Sequence, residues 1–89
     1  MREAPRPVRT RAPEYPSVAR RAEMEGKVLL QVTIDERGRV VDARVLSSDA
    51  PIFEAPALAA VLEWRFRPAE QSGHPVRARI VVPMEFTLR

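Results

Sequence analysis

The stretch VLLQVTIDERGRVVDARVL, running from Val28 to Leu46, decides the fold. Val28, Leu30, Val32 and Ile34 alternate with Leu29, Gln31 and Thr33, the period of a strand with one buried face. Asp35-Glu36-Arg37-Gly38 is a turn, with Gly38 free to take positive φ. A second strand follows from Val40 to Leu46, with Val41, Ala43 and Val45 on one face and Asp42 and Arg44 on the other. The two strands therefore make an antiparallel hairpin.

Outward from the hairpin the period changes. Upstream, Pro16 suits the first turn of a helix, where its missing N–H costs nothing. Val18, Ala19 and Ala22 share one side of that helix, and Gly26 is placed to end it, so a short helix is expected over 16–25. Downstream, Ser47-Ser48-Asp49-Ala50-Pro51 breaks the strand, because these side chains bond nearby backbone N–H groups. A second helix is expected from Phe53 to Arg65, with Pro56 confined to its first turn and Phe66-Arg67-Pro68 as its end. Gln71-Ser72-Gly73-His74-Pro75 reads as a turn. Val76 to Leu88 then keeps one parity of apolar residues throughout, the pattern of a long third strand.

This order of elements predicts an α+β domain. A helical crossover returns the chain parallel to the second strand. An antiparallel place for the third strand then exists only beside the first. The sheet order is therefore 2-1-3, with two helices packed on one face and the third strand at an edge. Pro83 agrees, since proline inside a strand is tolerated mainly at an edge. A long edge strand is a template for an added strand unless it is guarded, and Arg77, Arg79, Pro83 and Glu85 are residues of the guarding kind. Pattern alone leaves a guarded and a recruiting edge equally open.

Composition narrows the function. At 89 residues the chain is one domain, here divided into an extended, poorly ordered arm at 1–13 and a folded unit at 14–89. Cysteine is absent and His74 is the one histidine, which excludes disulfides, thiol chemistry and the usual Cys/His zinc sets. Ser47 and Ser48 have no base nearby in sequence, and no carboxylate pair has acid–base spacing, so no catalytic residue, metal ligand or cofactor is expected. The longest purely apolar run, Ala57 to Leu62, is too short to span a membrane. The formal charge of +3 is carried by the arm, through Arg2, Arg6, Arg9 and Arg11 against Glu3. Such an arm can touch phosphates or anionic lipid. One Trp, one Tyr and three Phe offer no base-stacking platform, so nucleic acid is not the expected partner.

One ordered set of residues carries more. Tyr15-Pro16, Ala19, Glu25-Gly26, Val28 and Val32 are followed by Ile34-Asp35, Gly38, Val40, Val45 and Ser47-Ser48. Then come Ala57-Leu58, Ala60-Val61, the block Trp64-Arg65-Phe66-Arg67-Pro68-Ala69, and Gly73, Pro75-Val76, Val82-Pro83 and Phe86. Over residues 13–89 this set resembles the C-terminal domain of TonB-family energy-transducing proteins. It departs from the family pattern at Asp49, Phe53, Glu54 and Pro56, where Gly, Leu, Asp and a non-proline residue are usual.

The resemblance implies a periplasmic domain whose full-length protein is anchored in the inner membrane by an N-terminal helix not seen in this sequence. It implies partners: TonB-dependent outer-membrane transporters, whose N-terminal box adds as a strand, and a proton-driven inner-membrane motor of the ExbB/ExbD type. The residues expected to meet the box are Arg77, Arg79, Val81, Pro83 and Glu85, with Arg65 and Arg67 as weaker sites. Tyr15, Pro16, Gly26, Gly38, Ser47, Ser48, Trp64, Phe66 and Pro68 are expected to hold the fold. The alternatives are the same fold serving another cell-envelope partner, a basic nucleic-acid-binding domain, and a homodimer paired through strand 76–88.

Overall fold

The computed structural model describes residues 1–88; Arg89, the last residue of the expected domain, lies outside them. The chain begins with two short strands, β1 (Arg2–Glu3) and β2 (Arg6–Arg9), and reaches helix α1 (Ser17–Arg21). The hairpin β3 (Gly26–Ile34) and β4 (Val40–Ser48) follows. A 3₁₀ turn (Pro51–Phe53) opens helix α2 (Glu54–Val61), and strands β5 (Arg65–Arg67), β6 (Ala69–Gln71), β7 (His74–Val76) and β8 (Ala78–Phe86) complete the fold. The main sheet has the order β4-β3-β8 and is antiparallel throughout, which is the expected 2-1-3 arrangement. A small sheet β1-β6-β7 and a ribbon β2-β5 extend it, giving a molecule of 49 × 21 × 19 Å.

The even-numbered residues of β3 form the centre of the core: Val28, Leu30, Val32 and Ile34 have no exposed surface. They meet Val82, Met84 and Phe86 of β8 and Phe53, Ala57, Ala60 and Val61 of the helical layer. Alanines at 57 and 60 let α2 lie close to the sheet. Three rings close the other end. Phe53 stacks on Phe86 at 4.4 Å, and Tyr15 meets both edge-on at 5.9 and 5.7 Å.

Several boundaries differ from expectation. Helix α1 stops at Arg21, because Glu23 takes φ 56° and Met24 N–H turns back to the Ala19 carbonyl. Gly26 is therefore no helix cap; it opens β3, and a Cβ there would stand 3.0 Å from the Phe53 ring. Helix α2 ends at Val61, its last turn tightened by Glu63 N–H to Ala60 O and Trp64 N–H to Val61 O. Pro56 does sit in its first turn. Residues 65–67 leave the helix for β5 because Phe66 N–H bonds the Gly38 carbonyl at 2.8 Å. The third strand is divided at Arg77 and ends at Phe86 rather than Leu88: Val76 pairs with Ala69 of β6, whereas Ala78 pairs with Ile34 of β3. Val41 leaves the inner face at a bulge and is 46% exposed. Within 1–13, β1 pairs with β6 and β2 with β5.

Candidate functional site: the free edge of the sheet

The main sheet has two edges, and they differ. β4 is bulged twice, between Leu29 and Leu30 and between Thr33 and Ile34 of its partner, with Leu46 and Val41 as the extra residues. Bulges bend and twist an edge away from further pairing. β8 pairs with β3 over nine residues, Gly26↔Phe86 to Ile34↔Ala78, with no shift of register. It is the regular edge.

Which backbone groups β8 leaves free follows from the far side of β3. Lys27 accepts the Asp49 N–H at its carbonyl (3.0 Å) and donates its own N–H to Asp49 Oδ2 (2.9 Å). Asp35 N–H donates to the Arg39 carbonyl at 2.9 Å. Odd-numbered residues of β3 thus turn their backbone groups toward β4, and alternation turns the even ones toward β8. The register hands those even residues to Ala78, Ile80, Val82, Met84 and Phe86. Arg79, Val81, Pro83 and Glu85 face away with both backbone groups. The open edge therefore offers carbonyls at 79, 81, 83 and 85 and N–H donors at 79, 81 and 85. Pro83 makes the one gap in the donors.

The side chains of those same residues stand on the helix-free face of the sheet. Arg79, Val81, Pro83 and Glu85 are all exposed, Val81 by 54%. Across β3 they lie opposite Thr33, Gln31, Leu29 and Lys27. Arg77 is exposed at the joint where the chain changes partner. Pro75 extends the pattern and was not singled out from sequence. Ser72 and Gly73, with φ of 53° and 80°, form a type I′ turn closed by Gln71 and His74, so Pro75 opposite Glu70 also turns its missing donor outward. Its shared parity with Pro83 was the signal. Arg65 and Arg67 are not brought to this edge; they lie on β5, against β2 and the Arg39 bridge.

The motif residues hold the scaffold behind the edge. Tyr15 donates its hydroxyl proton to the Met24 carbonyl, and Arg20 lies 4.9 Å over its ring. Burial, then the nearby Glu25 charge, push the Tyr15 hydroxyl above its usual pKa. The Pro16 carbonyl receives the first helical N–H, from Arg20, at 2.9 Å. Gly38 has φ 81°, and any Cβ there would stand 1.8 Å from the Phe66 carbonyl oxygen. Ser48 Oγ donates to Glu54, while Ser47 is exposed and Pro68 half-buried. Trp64 Nε1 donates to the Arg11 carbonyl at 3.0 Å. Asp35 is 6% exposed and clamps the β3–β4 turn, accepting N–H from Arg37 and Arg39 at 2.9 Å and Arg39 Nε at 3.2 Å. The Arg39 backbone bond, aided by Arg37 N–H and the Arg39 side chain and opposed by burial, holds its carboxyl below the ordinary carboxylate range.

Among the described residues no three His, Cys, Asp or Glu side chains gather to hold a metal ion, and no helix is long and apolar enough to cross a membrane.

The family model described as Gram-negative bacterial TonB protein C-terminal matches residues 11–88. Protein TonB of Vibrio cholerae is 35% identical over 77 residues, covering 85% of this chain and 32% of that protein. Protein tonB2 of Pseudomonas aeruginosa is 36% identical over 78 residues, covering 86% of this chain and 29% of that protein. The chain thus spans about a third of the length of the curated relatives it matches. The solution NMR structure of the Pseudomonas aeruginosa TonB CTD superposes with a TM-score of 0.77 at 30% identity, over 94% of this chain and 86% of that one.

Proposed function

Because the chain belongs to the family of Gram-negative bacterial TonB C-terminal domains, we propose that it is a non-enzymatic periplasmic domain coupling energy to outer-membrane transport. It binds the N-terminal box of an outer-membrane transporter as a strand added to β8. It then passes on a pull that originates in a proton-driven inner-membrane motor of the ExbB/ExbD type, through an upstream anchoring segment.

The observation that supports strand addition is the contrast between the edges. β8 keeps an unbroken register while β4 is bulged twice. Three donors and four acceptors face outward from 79 to 85, and each bond contributes about 0.5–1.5 kcal/mol net. Association itself costs roughly 4–15 kcal/mol, so the backbone alone gives weak binding. The exposed side chains of Arg77, Arg79, Val81 and Glu85 then supply selectivity. Weak binding at rest suits a partner that is engaged and released in cycles.

The test is an amide NMR titration of the labelled chain with a transporter-box peptide, against a scrambled control. Selective shifts along 76–88 are expected. A folded monomer that does not respond at millimolar peptide would assign the fold to another cell-envelope partner.

A further inference from the structure

The β2-β5 ribbon has an arrangement that strand addition on β8 does not explain. Arg6 lies opposite Arg67, and Arg9 lies opposite Arg65. On its other side Arg65 bridges to Arg39. Phe66 is buried between Arg65 and Arg67, so both guanidinium groups take the outer face. Directly opposed residues share a face, which places Arg6 and Arg9 beside them. Five arginines therefore crowd one exposed surface.

Asp35 holds Arg39 at 3.2 Å, and Glu63 holds Arg11 at 3.0 Å. Among the described residues Arg6, Arg9, Arg65 and Arg67 form no ion pair. Like charges placed directly opposite destabilise a strand pair, and here it happens twice in one short ribbon. Bringing anionic charge to this face relieves that repulsion.

The face is not purely basic. Val8, between Arg6 and Arg9, is 67% exposed, and Leu62 is 47% exposed. Leu62 shares a groove with Arg9, Arg65 and the Arg11–Glu63 pair. Apolar side chains set among arginines match the headgroup–acyl boundary of a bilayer better than they match a dissolved anion.

We propose that the β2-β5 ribbon is a docking face for anionic phospholipid membrane. Arg6, Arg9, Arg65 and Arg67 meet lipid phosphates, and Val8 and Leu62 enter the boundary beneath them. The proposal does not depend on the transporter reading, since the ribbon and the β8 edge are separate surfaces.

The test is co-sedimentation of the full 89-residue chain with vesicles of phosphatidylcholine, alone or mixed three to one with phosphatidylglycerol, at low and high salt. Binding is expected on the mixed vesicles at low salt only. A basic residue at an anionic surface weighs about fivefold, so Arg6→Gln with Arg9→Gln is expected to weaken binding on the order of 25-fold. Arg21→Gln with Lys27→Gln removes the same charge elsewhere and is expected to change binding only a few-fold. Val8→Ser with Leu62→Ser is expected to weaken vesicle binding while leaving retention on heparin unchanged. These positions are exposed, and amide spectra of each variant check the fold. Equal binding to pure phosphatidylcholine, an equal loss in the Arg21/Lys27 variant, or no effect of the Val8/Leu62 pair would each overturn the proposal, the last in favour of a soluble polyanion.

Discussion

Replacing Pro83 by Val changes the free edge by one hydrogen-bond donor. Pro83 turns away from β3, so the new N–H faces solvent in the isolated domain and adds no bond to the sheet. An added strand would use it. One backbone hydrogen bond contributes about 1 kcal/mol net, which makes the expected gain in affinity for a transporter-box peptide about fivefold. Stability should move the other way. Losing proline frees the unfolded chain and costs roughly 0.4–1 kcal/mol. At about 4–8 °C per kcal/mol for a domain this size, Tm should fall by about 2–8 °C. Isothermal calorimetry and a thermal scan on the same sample read both. Tighter peptide binding with a lower Tm is the expected pair of results. A higher Tm would mean that residue 83 faces β3, and unchanged affinity would mean that this edge does not receive the peptide; either refutes the reasoning.

Three further outcomes follow from the scaffold. Gly38→Ala forces a Cβ onto the Phe66 carbonyl at a positive φ; left-handed strain of roughly 1–2 kcal/mol and a lost Phe66–Gly38 hydrogen bond of about 1 kcal/mol should lower the urea midpoint accordingly. Phe53→Ala empties the centre of the ring cluster, where Phe53 is wholly buried, and should cost about 3–5 kcal/mol in the same assay. Asp35 has a lowered pKa in the folded chain, so the stability it contributes is whole above the unfolded carboxylate value of about 3.9 and is lost as pH falls through its folded value. Urea midpoints of the native chain and Asp35→Asn should therefore differ at neutral pH and converge in acid.

The parts of the fold legible in sequence are those whose cause is local. Strict alternation at Val28, Leu30, Val32 and Ile34 marks the central strand, and the connection rules then place β8 at an edge. What escaped depends on distant partners. Residues 65–67 have helical neighbours on one side, and only the bond from Phe66 to Gly38 across the fold draws them into a strand. The bulges at Val41 and Leu46 leave no mark in the pattern of residue types. Arg77 keeps the parity of a continuous strand, so the change of partner there is invisible until β6 is seen to claim Val76. The arm reads as a solvated tail because its arginines have no obvious acceptor; its pairing with β5 is a tertiary event. Of the expected edge residues, 79, 81, 83 and 85 share one face because parity alone sets that. Arg65 and Arg67 fell elsewhere once the helix ended early.

Hydrogen exchange at the β8 amides, with and without a transporter-box peptide, tests strand addition most directly. In the free domain Ile80, Val82 and Met84 should exchange slowly, bonded to β3, while Arg79, Val81 and Glu85 exchange fast. With peptide bound, Arg79, Val81 and Glu85 should become slow as well. Peptide binding that leaves those three amides fast would contradict the account.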